Sequence, residues 1–261
     1  MTFLLLLISC GSKEEDTSIT DTSTETDTIT VEDDCAIEDT GPGIRMDGTI
    51  QFADGTEARG NVRVQMCNEI TCYVAKWGEN GFCFPKGTLS SGYSYSFDTV
   101  PTASGNYATP LSFIEITDDN AVIQLDKPVV IPNFANTHDT SNSSMDADGG
   151  LSITIPENFS ENTISSVSMN IEDAGLPLEF SSDKIIGLWY FGPFNTYLED
   201  NSLSFTLSHT DLAVDTIVDI YNASYDEHHW IHVATTTITQ EGILEVEKGI
   251  SILSTLLIIQ Q

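Results

Sequence analysis

The stretch Tyr93-Ser94-Tyr95-Ser96-Phe97 places an aromatic residue at every second position, with small polar residues between them. Because successive side chains of a strand point to opposite faces, this period of two predicts a strand that is buried on one face. Similar short runs precede it at 48–52 (GTIQF), 62–66 (VRVQM) and 82–84 (FCF). Turn residues separate these runs, and the sequence shows no convincing amphipathic helix. The sequence therefore predicts an all-β protein.

A polar stretch divides the strand-rich part of the chain into two blocks. Residues 128–132 (PVVIP) close the first block, and residues 133–150 are rich in Asn, Ser, Asp and Gly, a composition typical of a linker. A second strand-rich block follows. Because the two blocks together exceed the usual length of one sandwich, we predict two β-sandwich domains, at 41–132 and 151–261, that fold independently.

Four residues near the N-terminus, Leu7-Ile8-Ser9-Cys10, follow a short apolar run and precede a polar segment. This order resembles a bacterial lipoprotein signal peptide with its lipobox, over residues 1–10. The resemblance implies that Cys10 becomes the acylated first residue and that Gly11 after it directs the protein to the outer membrane. The membrane would then be a partner through a lipid anchor such as palmitate, in which each buried CH₂ contributes ~0.8 kcal/mol. Without the resemblance, the apolar run is a frayed terminus or a buried strand.

Residues 11–40 form an acidic stretch dominated by Thr, Ser, Asp and Glu. Such a segment has too little apolar surface to offset the entropy of ordering, so we expect a disordered tether that holds the rest of the chain away from the membrane. The whole chain has a formal net charge of −31 and only 9 Lys and Arg residues. This charge argues against nucleic acid as a partner, because nucleic acid is bound through basic patches.

Four cysteines remain after Cys10: Cys35, Cys67, Cys72 and Cys83. An even number in an exported chain predicts disulfides, and four cysteines allow several connectivities. The short segment between Cys67 and Cys72 separates two strand-like runs, so a hairpin would set these two cysteines opposite each other. Cys35 and Cys83 would then join the end of the tether to the first block. A zinc site is the competing interpretation, but the chain has no C-x-x-C pair, and no histidine lies near these cysteines in the sequence.

The first block resembles a carboxypeptidase regulatory-like domain over about residues 44–127. The matching positions are Gly48, Ile50, Asp54-Gly55, Ala58, Gly60, Val62, the run 78–84 (GENGFCF), Leu89, Gly92 and Tyr93. The resemblance implies a transthyretin-like β-sandwich. It also implies an accessory module, since in that family the module itself carries no peptidase activity.

The second block resembles a sandwich domain found in netrin-receptor tails and bacterial surface proteins, over about residues 185–258. The elements that match are Gly192-Pro193, 203–207 (LSFTL), 217–221 (IVDIY), Trp230 and Gly242. They follow the family's order of a proline turn, two strands, a tryptophan strand and a closing strand.

Three histidines and two acidic residues lie together at 226–232 (DEHHWIH). On a strand, His228, Trp230 and His232 would share one face, and His209 is the candidate for a third ligand of zinc or copper. The alternative is a polar turn that leads into a strand whose tryptophan packs in the core. This alternative is favoured because the H-E-x-x-H pattern of zinc proteases is absent.

Two further groups of residues are candidate sites, and each also has a purely structural interpretation. Asp139, Asn142, Asp146 and Asp148 could form a calcium-binding loop; in the structural interpretation these residues only make turns. The other is an aromatic sugar-binding platform, whose members otherwise belong to the core: Trp77, Trp189, Tyr190 and Trp230.

The sequence carries none of the nucleophile or phosphate-loop motifs, such as G-x-S-x-G or G-x-G-x-x-G. The leading hypothesis is therefore a non-enzymatic surface lipoprotein without a cofactor, which presents two β-sandwich modules for structural, adhesive or ligand-binding roles. Its partner would be an unknown protein or glycan. The alternative hypothesis is a metal-dependent envelope hydrolase that uses the 226–232 cluster.

Overall fold

The alternation seen in the sequence forms long antiparallel strands in the computed structural model, which describes residues 35, 41–103, 105–198, 201–208, 212–239 and 241–261. Strands make up nearly all the regular structure of these residues, so the all-β prediction is confirmed. The one α-helix among these residues, α1 (Ile171–Ala174), is a single turn that Asn170 caps by accepting a hydrogen bond from the Glu172 backbone N–H. Among the described residues, no helix has the length and apolarity needed to cross a membrane.

The first block forms ten strands: β1 (Ile44–Gly48), β2 (Ile50–Phe52), β3 (Val62–Cys67), β4 (Cys72–Val74), β5 (Lys76–Gly78), β6 (Gly81–Leu89), β7 (Tyr93–Pro101), β8 (Leu111–Ile116), β9 (Val122–Gln124) and β10 (Val129–Ile131). Sheet I has the order β5-β6-β1-β9, and sheet II has the order β4-β3-β7-β8. Strand β9 pairs with β1 in parallel, and β10 pairs with β2 in parallel.

The second block forms twelve strands: β11 (Asn136–Asp139), β12 (Ser144–Asp146), β13 (Leu151–Thr154), β14 (Thr163–Ser168), β15 (Ile185–Gly192), β16 (Thr196–Tyr197), β17 (Leu203–Leu207), β18 (Ile217–Ser224), β19 (His229–Thr237), β20 (Leu244–Ile250), β21 (Ile252–Leu253) and β22 (Thr255–Gln260). Sheet III has six strands in the order β11-β14-β15-β22-β18-β19. Sheet IV has the order β12-β13-β17-β20.

The segment 133–150 differs from the linker that its composition predicts. Strand β11 pairs with β14 at the edge of sheet III, and β12 pairs with β13 at the edge of sheet IV. Edge strands are exposed on at least one side, so they tolerate polar residues: within β12, only Met145 is buried. This polar segment thus belongs to the sheets of the second block.

Three apolar clusters show how the sheets are layered. Sheets I and II enclose a cluster that includes Met46, Phe84 and Phe97. Sheets III and IV enclose a larger cluster that includes Phe205 and Leu256. Each of these clusters has the expected form of a β-sandwich core, with alternate residues from two sheets facing each other.

The third cluster lies between sheet II and sheet III. Strand β8 of sheet II contributes Leu111 and Phe113, which pack with Leu188, Trp230 and Leu257 of sheet III. Sheets II and III are therefore covered on both faces, and all described residues belong to one compact unit, Glu32–Gln261. The division into two sandwich domains at the predicted boundaries stays a prediction.

A glycine makes a close contact between the two blocks possible. Gly175 ends α1 with a φ of +65°, and a Cβ there would lie 2.0 Å from the carbonyl oxygen of Pro128. No other residue fits this position without displacing the segment that leads into β10.

Candidate functional site

The cysteine pairs stand as the sequence analysis pairs them. The sulfur atoms of Cys35 and Cys83 lie 2.10 Å apart, and those of Cys67 and Cys72 lie 2.07 Å apart. Cys67 is the register partner of Cys72 in the β3–β4 hairpin, whose turn is held by two backbone N–H groups that donate to Asn68 Oδ1. The predicted pairing is therefore confirmed at bonding distance.

Two of the predicted site residues, Cys10 and His209, lie outside the described residues. Lipidation of Cys10 and metal binding by His209 stay predictions.

His228 does not share a strand face with Trp230 and His232, which agrees with the favoured interpretation of a polar turn that leads into a strand. His228 has a φ of +54° and lies in the turn before β19, where strand alternation does not apply. Its Nδ1 lies 3.3 Å from Ser96 Oγ on sheet II, and burial lowers its pKa. His232 lies within β19, and its Nε2 is 3.2 Å from Asp219 Oδ1. The two side chains thus have separate partners.

No three His, Cys, Asp or Glu side chains come together as a metal-binding group in the part of the chain that the structure describes. The carboxylates of the candidate calcium loop accept hydrogen bonds from protein donors. Asp139 accepts from the Ser141 backbone N–H, which lowers the Asp139 pKa. Asp148 accepts from the Gly149 backbone N–H and from Ser168 Oγ. These contacts agree with the turn interpretation.

The four aromatic residues of the candidate sugar-binding platform pack in the apolar clusters and do not form an exposed surface. Trp189, Tyr190 and Trp230 are buried, and Trp77 is half-buried against the first-block clusters. Trp230 packs edge to face on Phe113, with the ring centroids 5.4 Å apart. This agrees with the interpretation of Trp230 as a core residue.

A set of polar side chains in contact with one another lies beside the third cluster. We call it the Asp98 network, and it consists of Asp98, Gln65, Tyr225 and the Cys67–Cys72 pair. Asp98 Oδ2 accepts a hydrogen bond of 2.8 Å from Gln65 Nε2, which lies 3.2 Å from the Tyr225 hydroxyl. That hydroxyl is 3.1 Å from Cys67 Sγ, so the loop after β18 docks onto the β3–β4 hairpin.

Asp98 itself is fully buried, and its Oδ1 has no hydrogen-bond partner in the structure. Burial raises its pKa to about 7, against the opposing effects of the Gln65 hydrogen bond and the Arg63 charge. Sequence analysis missed this residue, because an aspartate in an alternating strand reads as the solvent-facing member.

A groove of about 550 Å³ opens where the two blocks meet, and we call it the junction groove. Its volume lies within the range of ~300–1,000 Å³ that is usual for ligand pockets. The lining residues are Val100, Gly105, Tyr107, Thr109, Phe134, Thr137, Thr163, Ser165, Gly192, Pro193 and Phe194. None of these described lining residues carries a carboxylate, amine, guanidinium or imidazole group.

Specific contacts fix the groove walls. The Tyr107 hydroxyl donates a 2.8 Å hydrogen bond to Asp54 Oδ2, and the Thr56 backbone N–H donates to Asp54 Oδ1 at 2.9 Å. These donors hold the Asp54 pKa down at about 2. On the opposite wall, the Phe134 ring lies over Gly192, where a Cβ would come within 2.8 Å of the ring. Any larger residue at 192 would move this ring.

Three hydroxyl groups lie together on the sheet III side of the groove. Thr163 and Ser165 are two residues apart on β14, so they share a face, and Thr137 of β11 is the register partner of Ser165. The Thr137 and Ser165 hydroxyl oxygens are 2.9 Å apart. Sequence analysis missed this site because Phe134 and Thr137 lie in the segment assigned to a linker.

No protein-family model, curated protein or solved structure matches this chain.

Proposed function

We propose that this chain is a non-enzymatic surface lipoprotein, anchored in the bacterial outer membrane through Cys10, that presents β-sandwich modules for ligand binding or adhesion. The first module would be the carboxypeptidase regulatory-like domain and the second the surface-protein sandwich. The observation that carries the proposal is the order of segments along the chain. The lipobox-like run Leu7-Ile8-Ser9-Cys10 is followed by an acidic stretch and then by an all-β part whose cysteines lie at disulfide distance. Disulfides persist in oxidising compartments such as the cell envelope, which supports this location.

The junction groove supports binding rather than catalysis. Its described lining offers hydroxyl and aromatic groups but no carboxylate or imidazole, the groups most often used as general acids and bases. The histidines at 228 and 232 have separate hydrogen-bond partners, so their contacts do not favour the hydrolase alternative.

Replacement of Cys10 tests the anchoring. We expect the wild-type protein to fractionate with outer membranes and to incorporate an alkyne analogue of palmitate, since acylation requires the cysteine sulfur. Cys10→Ala should move the protein to the soluble fraction and abolish the label. Ser12→Ala, two residues beyond the lipobox, is the matched control and should behave as wild type. A wild-type protein without an acyl label, or a Cys10→Ala variant that still fractionates with membranes, contradicts the proposal.

A further inference from the structure

We propose that the junction groove is a binding site for a neutral oligosaccharide. This inference rests on the proposed function as a ligand-binding surface protein and names the chemical class of its ligand. The described lining of the groove is uncharged, whereas the chain as a whole is strongly acidic.

The charge of the groove lining excludes an ionic ligand. The chain carries 40 Asp and Glu residues, yet no acidic or basic side chain is found among the described lining residues. An anionic ligand would meet the field of a strongly negative protein and find no cation to pair with. A cationic ligand would find no carboxylate among the described lining residues, and the nearby Asp54 already accepts hydrogen bonds from Tyr107 and Thr56.

The lining of the junction groove combines aromatic rings with hydroxyl groups, which matches the apolar faces and polar edges of a sugar ring. Phe134, Phe194 and Tyr107 are half-buried, so part of each ring faces the groove while the rest packs against the protein. A pyranose has C–H groups that stack on such rings and hydroxyls around its edge that need hydrogen-bond partners. The hydroxyls of Thr137, Thr163 and Ser165 provide donors and acceptors on the sheet III side.

The groove is also organised before a ligand arrives. The hydrogen bond to Asp54 fixes the Tyr107 ring, and the close fit over Gly192 fixes the Phe134 ring. Binding therefore loses little side-chain entropy, which matters for a weakly interacting ligand such as a sugar.

Calorimetric titration of the full-length chain with maltohexaose, cellohexaose and chitohexaose tests the proposal. We expect at least one of these neutral probes to bind with a dissociation constant between micromolar and millimolar. Phe194→Ala and Phe134→Ala should each weaken that binding at least tenfold, since each removes a stacking face. Ile70→Ala, on the exposed tip of the β3–β4 hairpin, is the control and should leave the affinity unchanged.

A second variant keeps the test valid if a phenylalanine variant fails to fold. Ser165→Asp changes an accessible strand residue at the groove and should weaken binding of the neutral probe at least fivefold, with the far-ultraviolet circular dichroism of the wild type. The proposal is overturned if none of the three probes binds, if the variants bind as the wild type does, or if polygalacturonate binds more tightly than the neutral probes. Because these titrations are made in solution, their outcome is independent of the Cys10 fractionation that tests the anchoring.

Discussion

Asp98 is a carboxyl group buried between two sheets with only one side-chain hydrogen-bond donor, Gln65. Its pKa is raised from 3.8 to about 7, so the folded protein holds this proton at pH values where the unfolded chain has released it. The stabilisation that comes from holding this proton in the folded state is fully present below about pH 4 and is lost as the pH rises towards 7. Over that window we expect a loss of roughly 2–4 kcal/mol in the free energy of unfolding.

The Asp98→Asn variant tests this pH dependence. Its free energy of unfolding should exceed that of the wild type at pH 8 by roughly 2 kcal/mol. Because Asn does not titrate, the free energy of unfolding of the variant should also change much less between pH 5 and pH 8 than that of the wild type. Urea unfolding at the two pH values measures both effects. Asp126→Asn, at an exposed position, is the control and should leave the pH profile unchanged. A wild-type profile in the Asp98→Asn variant would contradict the assignment.

Residue alternation allowed one face of strand β7 to be predicted but not the other. Tyr95 and Phe97 are buried in the first core, as the pattern indicates. Ser96 and Asp98 are equally buried, although polar residues at alternate positions normally mark a solvent face. The pattern of one strand carries no information about a second sheet that covers its polar side.

At the level of elements, the β3–β4 hairpin supports the contact between the blocks. The Cys67–Cys72 bond holds two sulfur atoms against the Tyr225 hydroxyl, at 3.1 and 3.4 Å. Replacing both cysteines by serine should lower the free energy of unfolding by ~2 kcal/mol, since the closed loop is short.

The same double variant should speed hydrogen exchange in the hairpin and in the loop that contains Tyr225. Mass-spectrometric hydrogen exchange measures this change, and the β12–β13 hairpin at the far edge of sheet IV is the internal reference. Under reducing conditions, the hairpin of the wild type should exchange as fast as that of the variant. Equal exchange in the oxidised wild type and the variant would show that the bond does not hold the hairpin.

A strand could be predicted from the sequence only where it buries enough apolar side chains to show an alternating pattern. The hairpin around Cys67 was predictable because its spacing is short and both flanking runs alternate. Strands β11 and β12 were not predictable, because a polar edge strand has the composition of a loop. The junction groove was missed with them, since β11 forms part of its wall.

At the level of the whole molecule, the third cluster ties the two blocks together. Residues 41–132 would, if separated, expose Leu111 and Phe113, which are buried against sheet III in the full chain. The independent folding that the sequence predicts is therefore opposed by a shared core. We expect full-length protein to unfold in one cooperative transition, and a fragment of residues 41–132 to bind hydrophobic dyes and unfold at lower urea concentration.

Leu111→Ala provides a test without truncation. Because Leu111 is fully buried between the sheets, its truncation should cost about 2–4 kcal/mol. Fluorescence of the tryptophans and circular dichroism should report the same shifted midpoint. Ile70→Ala, at an exposed position of the first block, should change the midpoint little. Two separate transitions, of which only one shifts, would mean that the blocks fold apart.

The Cys35–Cys83 bond has a mechanical consequence for a protein held by its N-terminus. Tension applied to the chain before Cys35 passes through the bond directly to β6, an interior strand of sheet I, so the residues between the two cysteines bear no load. In a pulling experiment between the two termini, the segment between these cysteines, whose sequence separation is 48, is not extended while the bond is intact. Reduction should lengthen the fully extended molecule by about 170 Å. In a chain anchored near its N-terminus, as proposed, the bond would carry an applied force to an interior strand of sheet I, which has hydrogen-bonded neighbours on both sides, and not to a strand at the edge of the sheet.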